Sequence, residues 1–152
     1  MSTRLDYLAA APQAVQALSS VGKYLHAEKF DPKVKALVEL RVSQINGCAY
    51  CLNLHTQEAR ALGESQQRLD CLSAWRETTF YTEREQAALA WAESLTLIAQ
   101  THAPEDVYLE ASKHFPDKEL VDLTMVIVNM NAWNRLSVGF HKPVPLRSSE
   151  KA

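Results

Sequence analysis

The dipeptide Asn46-Gly47 separates two stretches that each carry apolar residues at helical spacing, and no other feature restricts the fold as much. Upstream, Asp31-Pro32 is a strong helix start, because an aspartate accepts from free backbone N–H groups and a proline loses nothing at the first helical position. Val34, Leu37, Val38, Val42 and Ile45 then recur on one helical face. Asparagine and glycine are the residues most tolerant of a left-handed closing turn, so one helix ends at 46–47 and another starts at Cys48. Gly63 stops that second helix near Leu62. Helix, tight turn, helix is therefore the expected unit.

The remaining chain repeats this grammar. Leu5, Leu8 and Ala9 open a short amphipathic segment, and Pro12 starts a helix whose Val15, Leu18, Val21, Tyr24 and Leu25 read as core. Ser65 caps a helix through Leu69, Leu72 and Trp75. Thr82-Glu83-Arg84-Glu85 has capping-box order and predicts a long helix from about 83 to 101. Pro104 starts a shorter helix ending near His114, and Pro116 begins the last one, whose apolar stripe Leu120, Leu123, Ile127, Val128 and Leu136 is interrupted by amides. Pro143 and Pro145 then break the chain into a tail over 143–152. With only four glycines and six prolines in 152 residues, and no strand-like alternation, the expectation is one all-α domain over 1–152, a compact bundle of six to eight helices.

Charge and hydropathy exclude several functions. A net charge of -2 offers no basic surface for phosphates, so nucleic acid is set aside. No apolar run approaches membrane-spanning length, and residues 1–21 lack a signal-peptide core, so the expected location is cytoplasmic and no membrane partner is expected. In a reducing compartment, a Cys-x-x-Cys pair is more often catalytic or metal-binding than a permanent staple.

That pair is Cys48 and Cys51, with His55 four residues further on. All three fall within the opening turns of one helix, and His55 shares the face of Cys51. Free N–H groups and the positive end of the helix dipole favour thiolate over thiol there. Lowering a thiol's pKa by one or two units from about 8.5 raises its thiolate fraction at neutral pH from a few per cent to roughly half. The expected chemistry is redox: Cys51 attacks an oxidant with His55 moving its proton, and Cys48 resolves the sulfenic acid as a disulfide. Two buried small residues, or a zinc site using Cys48, Cys51, His55 and Cys71, are the alternatives. Haem attachment needs a histidine directly after Cys51, where Leu52 stands. Cys71 reads as a structural thiol. His26, His102, His114 and His141 read as surface or capping residues.

The run from Glu39 to His55, followed by Glu58-Ala59-Arg60-Ala61-Leu62-Gly63-Glu64, closely resembles the carboxymuconolactone decarboxylase superfamily in its AhpD-like alkylhydroperoxidase branch. The resemblance continues more weakly through Trp75-Arg76, Tyr81 to Leu89, and Asn131 to Arg135. It implies an all-helical homo-oligomer, often a trimer or hexamer, that reduces hydroperoxides with two cysteines and a histidine, here Cys48, Cys51 and His55. The sequence has no recognisable nucleotide or flavin motif, so no cofactor is expected, and the expected reductant is an external dithiol or thiol. The decarboxylase branch lacks the cysteine pair. One departure stands out: the family's relay glutamate, twelve residues before the first cysteine, is Ala36 here. Glu39, three residues on, is the nearest acid that could replace it. Trp75, Trp133, Asn131, Asn134 and Arg135 read as structural or interface residues. The expected function is a thiol-dependent peroxidase. The other readings are a non-catalytic oligomeric redox-sensing or binding protein of the same fold, and a zinc-stabilised helical module.

Overall fold

The computed structural model describes residues 2–146, all helix and loop. In chain order the α-helices are α1 (Tyr7–Ala10), α2 (Pro12–Ala27), α3 (Pro32–Ile45), α4 (Ala49–Ala61), α5 (Gln66–Cys71), α6 (Glu83–Thr96), α7 (Ile98–Thr101), α8 (Glu105–His114) and α9 (Asp117–Gly139). A 3-10 segment, Leu72–Glu77, follows α5 directly. The expected tail divides: 143–146 carry no regular structure, and 147–152 lie outside the described residues.

Helix α3 is the centre of the bundle. Asp31 caps it by accepting from the N–H groups of Lys33 and Val34, and Pro32 occupies the first turn, as the sequence predicts. Its burial extends beyond the expected stripe to Ala36, Glu39, Leu40 and Ser43. A helix buried on most sides joins two cores. Val34, Val38 and Val42 pack with Ala88, Ala92, Leu123, Ile127 and the two cysteines, while Ala36, Leu37 and Leu40 pack with Leu69, Leu72, Trp75 and Leu89. A carboxylate in the middle of such a helix needs partners, and Glu39 has them.

Three expectations change. In α2 only Leu25 is fully buried, while Tyr24 is exposed and bonds Asp122 through its hydroxyl at 2.9 Å. Leu25 joins the first core and Val21 packs against it, while the helix also borders two cavities, with Val15 and Ser19 lining one and Gly22, Leu25 and His26 the other. The 65–75 helix tightens to 3-10 geometry after Cys71. Residues three apart align in that geometry, so Leu72 and Trp75 both enter the second core. The 83–101 helix divides at Leu97, where Thr101 donates its hydroxyl to the Ser94 carbonyl at 2.7 Å. This break and the single-turn α1 raise the count to nine α-helices among the described residues.

Candidate functional site

Cys48 stands where α3 gives way to α4. The N–H of Cys48 donates to the Ser43 carbonyl at 3.1 Å and that of Gly47 to the Gln44 carbonyl at 3.2 Å, with Gly47 left-handed at φ 63°. This is the Schellman closure, in which a glycine spares the steric penalty of a Cβ. The same closure makes Cys48 the N-cap of α4: its Sγ accepts the N–H of Cys51 at 3.4 Å. Caps are usually oxygen acceptors, and a sulfur fills the role best as a thiolate.

The two sulfurs lie 2.6 Å apart, both buried. The Cys51 thiol, hydrogen-bonded to Cys48, lowers the Cys48 pKa to about 6, well below the ordinary thiol range; burial opposes this, while the Cys51 N–H, Asn134 and Ser137 assist it. The same bond pushes Cys51 upward, and burial adds to it. The pair therefore holds its negative charge on Cys48 and its proton on Cys51. The sequence makes Cys51, the residue facing His55, the expected attacking sulfur; the cap position favours the thiolate on Cys48, because Cys48 receives both a backbone N–H and the neighbouring S–H.

His55 lies one turn beyond Cys51 and is buried. Its Nδ1 faces Glu58 Oε2 at 2.8 Å and Glu39 Oε2 at 3.5 Å. Glu39 Oε2 also accepts from Lys35 Nζ at 2.7 Å. The bond to His55 holds the Glu58 carboxyl below its ordinary value. Two carboxylates at Nδ1 keep the proton there and leave Nε2 with a lone pair. Glu39 thus supplies a carboxylate beside the histidine although Ala36 occupies the usual position; the Ala36 methyl lines a second cavity of about 650 Å³, which Glu39 also reaches.

Cys51, His55 and Glu39 line a cavity of about 320 Å³, together with Tyr50, Leu54 and Trp133. Cys48 is not part of the lining; its sulfur sits behind Cys51. Asn134 is fully buried, donating to Ser43 Oγ at 3.2 Å and accepting from Asn46 Nδ2 at 2.9 Å. Its partners are within this chain, as is that of Trp75, whose indole N–H donates to Glu93 at 3.0 Å. Sequence reading did not assign Glu58, Asn134 or Ser137 to the site. Glu58 was legible as the third residue after His55 on a helix, whereas Asn134 and Ser137 come from α9 and carry no local signal. The zinc set does not form: among the described residues, the grouping whose ligand atoms converge is Glu39, His55 and Glu58, without Cys48, Cys51 or Cys71.

Fold and site together define a class: a helical protein carrying a Cys-x-x-Cys pair at a helix start, beside a histidine held by carboxylates. The sequence pattern of the carboxymuconolactone decarboxylase family matches residues 12–94, and the chain belongs to that family. It is 38% identical over 138 residues to the uncharacterized protein YdfG of Bacillus subtilis, covering 91% of this chain and 94% of that one. The uncharacterized protein YnjA of Escherichia coli is 25% identical, covering 74% and 62%. The crystal structure of an Agrobacterium tumefaciens protein of unknown function, a candidate antioxidant defence protein AhpD, superimposes with a TM-score of 0.93 at 39% identity, covering 96% of this chain and 100% of that one. The debrominase Bmp8 shares the fold at a TM-score of 0.80 and 19% identity, covering 91% and 74%.

Proposed function

We propose that this chain is an AhpD-like, thiol-dependent peroxidase. The observation that carries the reading is the arrangement of Cys51: it lines a cavity beside a carboxylate-held histidine, with a second sulfur 2.6 Å behind it. The Cys51 sulfur attacks the terminal oxygen of a hydroperoxide while its proton passes to His55 Nε2. The S–O bond forms, the O–O bond breaks, and the departing alkoxide takes the proton from His55 to leave as an alcohol. The Cys48 thiolate then attacks Cys51 Sγ; the S–S bond forms, the S–O bond breaks, and the hydroxide leaves as water with a proton drawn through His55. An external dithiol restores both thiols, so the sum is one hydroperoxide and two thiols converted to alcohol, water and disulfide. Glu39 and Glu58 hold the imidazole by its Nδ1 side. No helix among the described residues is long and apolar enough to cross a membrane, which fits the proposed cytoplasmic location. Exposed Ile98 and Val128, which line one groove, fit a homo-oligomer, whose size as a trimer or hexamer rests on the family resemblance alone.

Peroxide consumption with a dithiol reductant tests the reading in wild type, Cys51→Ser and Cys48→Ser. Both variants lose steady-state turnover, and only Cys48→Ser still yields a trappable sulfenic acid, on Cys51. Equal rates in all three proteins overturn the proposal. Ala36 at the family's relay position argues for the non-catalytic redox-sensing reading; a carboxylate 3.5 Å from His55 favours the enzyme instead.

A further inference from the structure

Two polar side chains of the 320 Å³ cavity have no part in the redox steps. Lys142 is placed by the closure of α9, where its N–H donates to the Ser137 carbonyl at 2.9 Å and the His141 N–H to the Val138 carbonyl at 3.3 Å. His141 is left-handed at φ 54°, a conformation that disfavours a residue with a Cβ. The Lys142 ammonium rests 4.1 Å from the centroid of the Tyr50 ring and 5.5 Å from that of Tyr7, and it forms no carboxylate pair among the described residues. Lys35, Lys113 and Lys118 are all paired with acids. The other cavity charge, Glu39, is already matched by Lys35 and His55. Among the side chains that line the cavity, the charge without an oppositely charged partner is therefore that of Lys142, and it adjoins Tyr50, the neighbour of Cys51.

Asn129 is the second group. It lines the same cavity at 8% exposure, and its Oδ1 is buried with no hydrogen bond. An unsatisfied buried amide costs about 1–3 kcal/mol, so such groups call for a partner. A hydroperoxide both donates and accepts, which suits either end of an amide. The rest of the lining includes Leu8, Val15, Leu54, Met130 and Trp133, a hydrocarbon surface. The volume is at the lower end of small-molecule sites, which run from roughly 300 Å³ upward.

We infer that the cavity takes a small organic hydroperoxide bearing a carboxylate. The carboxylate binds Lys142, the hydrocarbon body lies along Met130 and Trp133, and the peroxide group bonds Asn129 where Cys51 can reach it. This substrate class rests on the peroxidase reading, but the binding half of it is independent of turnover. Two matched pairs of probes separate them: cumene hydroperoxide with its 4-carboxy derivative for kinetics, and cumene with 4-isopropylbenzoate for equilibrium binding.

Wild type is expected to favour the carboxylate by about tenfold in kcat/KM and in affinity, the scale of one partly buried charge contact. Lys142→Met should remove that preference, and Lys142→Arg should retain most of it, which distinguishes a charge contact from a general loss of folding. Asn129→Leu should weaken turnover of both peroxides while leaving 4-isopropylbenzoate binding largely in place, since that probe has no peroxide group. Equal affinity of wild type for cumene and 4-isopropylbenzoate, or a preference that survives Lys142→Met, overturns the inference even if both peroxides are reduced. Preferential 4-isopropylbenzoate binding that depends on Lys142, in a protein that reduces neither peroxide, upholds the anion site and sinks the peroxidase reading alone.

Discussion

Two helix closures meet at the thiol cavity, and they use one backbone device for different ends. At the end of α3 the left-handed residue is Gly47, and the residue after it is Cys48; at the end of α9 they are His141 and Lys142. The first closure delivers a sulfur to the start of a new helix, where N–H groups stabilise its charge. The second delivers a cation to the cavity lining with no helix following among the described residues. Glycine makes the first closure cheap and visible in the sequence. Histidine makes the second strained and leaves no glycine in the sequence to mark it, so the same closure is legible at one helix end and not at the other.

The comparison can be broken at several points, and the largest effect is expected on the sulfur side. Replacing His55 with glutamine should lower kcat/KM for hydroperoxide by about 10²–10⁴-fold, as for loss of a general base. Glu39→Gln should cost roughly tenfold, the scale of a lost hydrogen bond to a charged group, measured on the same substrate. If Glu39→Gln were silent, the relay would rest on Glu58.

The charge on Cys48 gives a pH test. A pKa lowered to about 6 means that the thiolate persists at neutral pH and is lost as pH falls through 6. Ultraviolet thiolate absorbance should therefore titrate near pH 6 in wild type. The largest cause of the lowering is the Cys51 thiol, so in Cys51→Ala the midpoint should rise by more than one unit toward the ordinary value of about 8.5. An unchanged midpoint would assign the charge to the helix start and Asn134 instead.

The smallest effects address the closures themselves and should differ in sign. Gly47→Ala places a Cβ at φ 63° and should destabilise the fold by about 1–2 kcal/mol in chemical denaturation. His141→Gly relieves the corresponding penalty, less the entropy of a glycine, for a net gain of about 0.5 kcal/mol. A loss of stability in His141→Gly would show that the imidazole contributes contacts that outweigh the strain.

Much of the molecule was legible because the signals are local. Asp31-Pro32, Thr82 with Glu85, and Asn46-Gly47 mark helix ends through bonds made within a few residues, and the structure forms each of them. The breaks at Cys71 and Leu97 were not legible, since both helices continue acceptable helical sequence and Leu72 and Trp75 follow the second core. Helix α2 divides along its stripe: Val21 and Leu25 reach the core, Val15 lines a cavity and Tyr24 is exposed, and apolar periodicity does not distinguish these surroundings.

The sequence by itself determined the all-helical class, the turn at Gly47 and the grouping of Cys48, Cys51 and His55, because each depends on spacing along one or two helices. Only the tertiary structure decided which sulfur holds the charge, that Glu39 reaches His55 where Ala36 cannot, and that Asn134, Asn129 and Lys142 converge on the same place from α9 and the turn that closes it. Those outcomes depend on distances between helices and on burial, and helical periodicity carries neither.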